Sequence, residues 1–196
     1  MKIKTLKIKT YQFDELDKEV QEKVLEKYAD INVDYDGWDD GILEEWTHKL
    51  QSLGYKEVEI YYSGFGGQGY GACFVAEVEI EKWIEAHKAD KRFKKLLSEV
   101  KRGCWASITI THKSHYYYST STTVNYEGQT ELSDKAYKQL KEMASWIEEE
   151  RDTLGNEIYW DLEKAYEDLT SREAIIETIK ANEYEFLEDG SNSIHI

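Results

Sequence analysis

The chain has 196 residues, of which 40% are hydrophobic and 13% aromatic, enough apolar side chains to build a packed core. Its 40 acidic and 25 basic residues give a formal charge of -15, which disfavours nonspecific binding to DNA or to anionic membranes because like charges repel. The sequence has no proline, no signal peptide and no apolar run of about 18 residues. It therefore predicts a soluble, cytoplasmic protein in which Cys73 and Cys104 are free, buried thiols.

The N-terminal part of the chain predicts one strand and two helices. Residues 1–11 are rich in lysine and alternate imperfectly, as in an edge strand. A helix is expected to follow with Asp14 as its N-cap. Its apolar stripe repeats every three or four residues: Leu16, Val20, Val24, Tyr28 and Ile31. A second helix, which ends at Gly54, has another such stripe: Trp38, Ile42, Trp46, Leu50 and Leu53.

The acidic run before the second helix partly matches a calcium-binding loop. Asp34, Asp36 and Glu45 occupy the first, third and twelfth positions of the EF-hand pattern. However, Asp39 stands where the turn requires glycine, and Trp38 replaces an oxygen ligand. The departures fall where the geometry is strictest, so calcium is disfavoured and no metal or cofactor is expected.

Two predicted strands flank a loop with five of the chain's 12 glycines. Residues 55–63 and 72–80 alternate apolar and polar side chains, which predicts a hairpin. The candidate binding residues of the loop between them are Gly64, Phe65, Gly66, Gly67, Gln68, Gly69, Tyr70 and Gly71. Three of these glycines match the dinucleotide-binding pattern G-x-G-x-x-G. That fingerprint requires a helix after the loop, whereas a strand follows here, so the dinucleotide interpretation fails on context.

A basic helix and a second hairpin are predicted next. Residues 81–100 predict one helix that carries the main basic cluster, including Lys91, Arg92 and Lys95. This cluster either pairs with the protein's own carboxylates or holds an anionic ligand. Residues 104–112 and 115–126 are rich in threonine and tyrosine and predict a hairpin. His112 and His115 flank its turn, but no nearby side chain completes a metal or acid–base set, so a polar hairpin end is favoured.

The remainder of the chain predicts helices. A stripe that begins after a cap at Ser133 continues for about ten turns, with a break near Gly155 as an alternative. Residues 170–173 form a capping-box pattern for a short helix that ends at Asn182, and a turn follows at Gly190. Together the elements predict a single α+β domain over residues 1–196, in which an antiparallel sheet of hairpins packs against several helices and long C-terminal helices. A helical subregion at 131–182 is part of this prediction.

Three stretches carry a family resemblance: residues 13–16 (FDEL), the loop at 63–74 and the run at 169–190. In these stretches the chain resembles a group of small acidic phage-encoded proteins, labelled hypothetical or antitoxin of a toxin–antitoxin stability system. The likeness spans nearly the whole chain and includes residues 115–117. The group tends to carry a tryptophan, a serine and an aspartate where this chain has Gly66, Gly67 and Tyr70. The resemblance implies a phage accessory gene product that acts in the host bacterial cell.

Stoichiometric binding is expected in preference to catalysis. The sequence has no nucleophile elbow, no phosphate-binding loop and no zinc set. In the favoured hypothesis, carboxylates of residues 34–45, 148–152 and 157–168 occupy the basic site of a host defence effector protein. The predicted acidic surface consists of Asp34, Asp36, Asp39, Asp40, Glu44 and Glu45.

An alternative hypothesis is the sequestration of a nucleotide-type immune signal. Bases are expected to stack on Phe65, Tyr70, Tyr116 and Tyr118, next to His112 and His115. Backbone N–H groups of the glycine loop would bind phosphate, and Lys91, Arg92 and Lys95 would neutralise its charge. Two further alternatives are an antitoxin that neutralises a toxin, and a glycine loop that is only a packed hairpin tip. A homo-oligomer is left open.

Overall fold

The structure, a computed structural model that describes residues 7–193, combines helices with one sheet. The helices are α1 (Lys18–Lys27), α2 (Asp40–Ser52), α3 (Ile80–Ala86), α4 (Lys94–Val100), α5 (Asp134–Leu169) and α6 (Arg172–Ala181). The strands are β1 (Tyr55–Tyr62), β2 (Ala72–Val78), β3 (Ser107–His112) and β4 (Thr122–Glu127). Short 3-10 turns lie at Phe13–Glu15 and Ser119–Ser121. The predicted α+β class is confirmed.

The sheet is antiparallel and has the strand order β1-β2-β3-β4. The predicted pairing of β1 with β2 and of β3 with β4 is confirmed. Phe74, Ala76 and Val78 alternate onto the buried face, as expected for a half-buried strand. We call the opposite face of the sheet the open face. It carries half-buried and exposed side chains: Tyr61, Val75, Glu77, Thr109 and Thr111.

The chain divides into two compact units, one of which is Asp39–Glu163. In this unit the buried face of the sheet shares one apolar core with residues of α2, α3, α4 and α5. Its largest fully buried side chains include Trp83, Tyr55, Phe74 and Phe93. Each such side chain contributes about 1.5–3 kcal/mol through its removal from water.

The other unit combines the described residues up to Trp38 with those from Lys164 onward. Its core is formed by α1, α6 and the segments beside them: Phe13, Leu16, Val24, Leu25, Ile175, Ile179 and Phe186. Phe186 forms isolated bridges to Tyr11 and Asn192, and the expected turn at Gly190 has a positive φ of 85°. The prediction of one domain over the whole chain stays a prediction.

Several predicted helix boundaries are wrong. The segment 81–100 forms two helices, because Lys88 adopts a left-handed φ of 53° and ends α3. Helix α1 starts after Asp17, while Asp14 lies in the preceding 3-10 turn. The cap of α6 is Ser171, whose hydroxyl accepts from the N–H of Ala174 at 3.3 Å. The predicted cap at Ser133 is confirmed by a 3.4 Å bond from the N–H of Ala136.

Helix α5 is continuous over 36 residues, so the alternative break near Gly155 does not occur. A Cβ atom at Gly155 would lie 2.9 Å from Ser119 Cβ and 3.0 Å from Ala72 O. The glycine therefore allows the helix to approach the sheet closely and does not interrupt it.

Two predicted strands, at residues 115–126 and 1–11, differ from the structure. Residues 115–121 form a loop with a 3-10 turn, and only Thr122–Glu127 pairs with β3. Residues 7–10 have no regular structure, while residues 1–6 of the predicted N-terminal strand lie outside the described residues. Cys104 precedes β3 and is only half-buried, whereas Cys73 is buried and its thiol pKa is raised by burial.

Candidate functional site

The glycine loop closes the β1–β2 hairpin through its own backbone. The N–H of Ser63 donates to Gly71 O at 3.0 Å, which extends the strand pairing by one step. Gly66 and Gly69 adopt φ values of 74° and 85°, which glycine reaches at little cost. These two glycines are therefore explained by the course of the turn.

The loop also packs tightly against its neighbours. A Cβ atom on Gly71 would lie 2.7 Å from Tyr118 Cα, so only glycine fits there. Phe65 stacks on Tyr62 at a centroid distance of 5.9 Å and contacts the tilted ring of Tyr159 at 5.7 Å. The N–H of Gly66 donates to the Tyr159 hydroxyl, whose pKa is raised by burial and by Glu163. Phe65 and this N–H are thus engaged in internal contacts.

Three of the predicted stacking residues are exposed at this end of the sheet. Tyr70, Tyr116 and Tyr118 are large exposed side chains, and the rings of Tyr116 and Tyr118 stack at 5.8 Å. Gly69 lies beside Tyr116, and the His115 ring lies 4.1 Å from the same tyrosine. The structure therefore brings the glycine loop and the 113–121 loop together.

The predicted basic residues are not part of this cluster. Arg92 lies over the Trp146 ring at 4.9 Å, and its carbonyl accepts from Gln139 near the start of α5. The glycine loop contacts the same helix at Tyr159, roughly 20 Å beyond Trp146 and roughly 30 Å beyond Gln139 along its axis. Lys91 lies beside Arg92 in the turn between α3 and α4, and Lys95 pairs with Glu99 at 2.8 Å. The nucleotide site predicted from the sequence is therefore not assembled.

His112 belongs to a different aromatic cluster, on the open face. Its ring stacks with Tyr61 at 5.8 Å and with Tyr117 at 5.2 Å, and the two tyrosines stack at 5.7 Å. These rings line a groove of about 490 Å³, together with Glu57 and Glu77. Sequence reasoning missed Tyr61 and Tyr117, although the alternation of β1 already placed Tyr61 opposite the core.

One member of the predicted acidic surface is buried. Asp39 is 9% exposed, and its hydrogen bond to the Tyr62 hydroxyl, together with burial, raises the pKa of Tyr62. Including Asp39 in the predicted acidic surface was therefore wrong, because its side chain is buried beside Tyr62. Asp34 and Asp36 are exposed and belong to the other unit.

Helix α2 lies beside the C-terminal half of α5 within Asp39–Glu163. Trp46 Nε1 donates to Asp161 Oδ2 at 2.9 Å, and Lys49 Nζ pairs with Glu157 Oε2 at 3.2 Å. These contacts place the two helices side by side. The remaining exposed carboxylates of this part of α2 are Asp40, Glu44 and Glu45.

Trp160 of α5 is 62% exposed, an unusual position for the largest apolar side chain. It lies one turn from Glu157 and from Glu163 on the same helix, so carboxylates stand on both sides of it. We define the α2–α5 surface by two exposed carboxylates of α2 and by the α5 residues around Trp160: Glu44, Glu45, Glu157, Trp160 and Asp161. Sequence reasoning missed Trp160, although its position outside the apolar stripe of α5 indicates an exposed tryptophan.

A buried polar network was also missed. Glu150 accepts from the Tyr55 hydroxyl at 2.6 Å and from Trp83 Nε1 at 3.0 Å. His87 places Nε2 2.5 Å from the same carboxylate and Nδ1 2.7 Å from Trp83 O. The network joins α3, α5 and β1 in the core, where its role is structural because every polar group has a partner.

Two structural features are absent from residues 7–193. No group of three or more histidine, cysteine or acidic side chains there is arranged to hold a metal ion. Among the helices of that range, none combines the length and apolarity needed to cross a bilayer.

Comparison with curated proteins and with solved structures finds no match. A family model matches residues 38–172, and the chain therefore belongs to the family described as Domain of unknown function (DUF8835).

Proposed function

We propose that this protein acts by stoichiometric binding of a positively charged protein. The resemblance in the FDEL, glycine-loop and C-terminal stretches supplies the setting, a phage-encoded accessory protein that blocks an effector of bacterial antiviral defence. The protein acts by contact and not by catalysis, and its binding surface is the α2–α5 surface.

The exposed side chain of Trp160 carries the proposal. Tryptophan is enriched among the few interface residues that supply most of the binding energy. Here it stands on α5, 62% exposed and one turn from the carboxylates of Glu157 and Glu163. Glu157 pairs with Lys49, and Glu163 accepts from the Tyr159 hydroxyl. An apolar anchor inside a charged rim is the usual anatomy of a protein interface.

The charge of the chain supports the nature of the partner. A formal charge of -15 attracts a basic surface from a distance and raises the association rate. Carboxylates on a helix keep a fixed spacing, as phosphates do along a nucleic acid strand. The site of an effector that normally holds nucleic acid is therefore a suitable target.

The test is recovery of the tagged protein from bacteria with active defence systems, followed by native mass spectrometry. We expect one co-purifying protein in a fixed ratio, and at least about tenfold less of it with Trp160→Ala. Trp105→Ala is the matched control, because Trp105 is 54% exposed but lies outside the α2–α5 surface. Equal recovery of the partner with both variants would overturn the proposal.

Charge reversal gives a second, independent readout. The pair Glu44→Lys and Glu45→Lys should slow association and weaken its dependence on salt. The control pair Glu131→Lys and Glu142→Lys makes the same change in net charge at exposed positions elsewhere. If both pairs slow association equally, the effect belongs to net charge and not to this surface.

Nucleotide sequestration is the second candidate, and the exposed tyrosines at the glycine loop favour it. Tyr70, Tyr116 and Tyr118 offer ring faces on which bases could stack. Because the guanidinium of Arg92 lies over Trp146, roughly 20 Å along α5 from Tyr159, we place this candidate second. In the same mass spectrum it predicts a small added mass near that of a nucleotide, which Tyr116→Ala abolishes.

A further inference from the structure

The groove on the open face has the features of a site for a planar cation. Its rings come from three segments: Tyr61 from β1, His112 from the end of β3 and Tyr117 from the following loop. Their planes differ by only 11° to 24°, so they present similarly oriented faces. With a volume of about 490 Å³, the groove lies within the usual range for small-ligand sites.

The carboxylates around the groove set the sign of its charge. Glu77 is paired with Lys56 at 2.8 Å, and the Tyr61 hydroxyl donates to Glu59. Glu57, which lines the groove, forms no ion pair within 4.0 Å among residues 7–193, while the charge of Lys56 acts on it from a greater distance. None of the groove-lining residues in that range is lysine or arginine. A phosphate would therefore be repelled here, and a cation attracted.

The backbone at Glu57 is unusual for a glutamate. Its φ is 54°, in the left-handed region, and the pairing of β1 with β2 shifts register between Lys56 and Glu59. Such a bulge re-aims side chains on its strand, and a non-glycine residue there is strained. The strain is retained at the residue that contributes the unpaired carboxylate.

The histidine adds a further acceptor. His112 Nε2 lies 2.8 Å from Tyr116 O, so in the neutral ring the hydrogen is on Nε2 and Nδ1 is an acceptor. A carboxylate, an imidazole nitrogen and parallel ring faces together suit a guanidinium. This cation is planar, stacks on aromatic rings and donates several hydrogen bonds at once.

We propose that the groove lined by Tyr61, His112, Tyr117 and Glu57 binds an arginine side chain of a partner protein. Its guanidinium stacks against the rings and hydrogen-bonds to the Glu57 carboxylate. This site is separate from the α2–α5 surface and does not depend on the function proposed above.

The test is titration of the whole protein with a capped Gly-Arg-Gly peptide while the tyrosine ring signals are followed by NMR. The matched ligand is the same peptide with citrulline, which keeps the shape and loses the charge. We expect saturable shifts of Tyr61 and Tyr117 with the arginine peptide and shifts at least about fivefold smaller at equal concentration with the citrulline peptide. Adenosine monophosphate is the third ligand, and we expect it to leave these rings unmoved.

Variants locate the site. Glu57→Gln should lower the affinity for the arginine peptide about tenfold. The control is Glu127→Gln, since Glu127 is exposed on β4 outside the groove, and it should change the affinity less than twofold. A thermal melt of each variant verifies the fold. Trp160→Ala should leave peptide binding intact, which separates this site from the α2–α5 surface. The proposal is overturned if the arginine peptide moves neither tyrosine, if citrulline binds equally well, or if the nucleotide alone binds.

Discussion

Gly71 and Tyr118 approach so closely that a Cβ atom on the glycine would lie 2.7 Å from the tyrosine Cα. Because Tyr118 contributes backbone to this contact, a rotamer change cannot relieve it. We expect Gly71→Ala to lower the free energy of unfolding by about 1–3 kcal/mol. Urea denaturation of the two proteins measures the difference.

Gly64→Ala is the control for this prediction. Its added Cβ would lie 3.6 Å from the Tyr70 ring, an ordinary contact distance. We expect a change within about 0.5 kcal/mol. Equal stability of Gly71→Ala and Gly64→Ala would show that the loop relaxes and that the close approach is not required.

Gly155 offers a test in which two effects oppose each other. Alanine in a helix interior gains about 1 kcal/mol over glycine in propensity. At this position its Cβ would lie 2.9 Å from Ser119 Cβ and 3.0 Å from Ala72 O, at a cost of about 1–3 kcal/mol. We expect Gly155→Ala to destabilise the protein in chemical denaturation. Asn156→Ala, at the exposed neighbouring position, should stabilise it slightly, and the opposite order would refute the steric explanation.

Glu99 gives a prediction on pH. The ion pair with Lys95 and two hydrogen bonds from Ser133 lower the pKa of Glu99 to about 2, below the ordinary value of 4.5. Because the pKa of Glu99 is lower in the folded than in the unfolded state, its ionisation stabilises the fold above about pH 4.5. This stabilisation is lost as the pH falls toward about 2. We expect Glu99→Gln to unfold at lower urea concentration at neutral pH, with the gap to the wild type closing in acid. A constant gap would show that ionisation of Glu99 is not the cause, and Glu142→Gln, an exposed change on α5, is the control.

The half-buried carboxylate of Glu150 should be the most sensitive acidic position of α5. Its removal leaves the Tyr55 hydroxyl without its acceptor and Trp83 Nε1 with only the long 3.4 Å hydrogen bond to that hydroxyl. We expect Glu150→Ala to lower the free energy of unfolding by about 3–5 kcal/mol, and Tyr55→Phe by about 1–2 kcal/mol. Thermal and urea unfolding of each variant both measure this loss of stability. Glu149→Ala, an exposed neighbour, should stay within about 0.5 kcal/mol, and similar losses at both glutamates would contradict the network.

The sequence by itself determined the α+β class, the pairing of strands within each hairpin, the stripe of α1 and the long C-terminal helix. These features follow from local periodicity: side chains alternate every two residues in a strand and return every 3.6 residues in a helix. Sequence reasoning failed at boundaries set by one residue, such as the left-handed Lys88 that splits α3 from α4. A single φ angle leaves no trace in a pattern of apolar side chains.

Only the tertiary structure decided which residues lie together on one surface. The glycine loop and the basic cluster are joined by β2 and α3 in the chain, yet their contacts with α5 are roughly 20–30 Å apart. Tyr61, His112 and Tyr117 come from different segments and meet because β1, β2 and β3 are neighbours in the sheet. Gly155 looked like a helix break and is instead a point of close packing. Contacts between residues distant in sequence depend on how the elements pack, and local propensity contains no information about that packing.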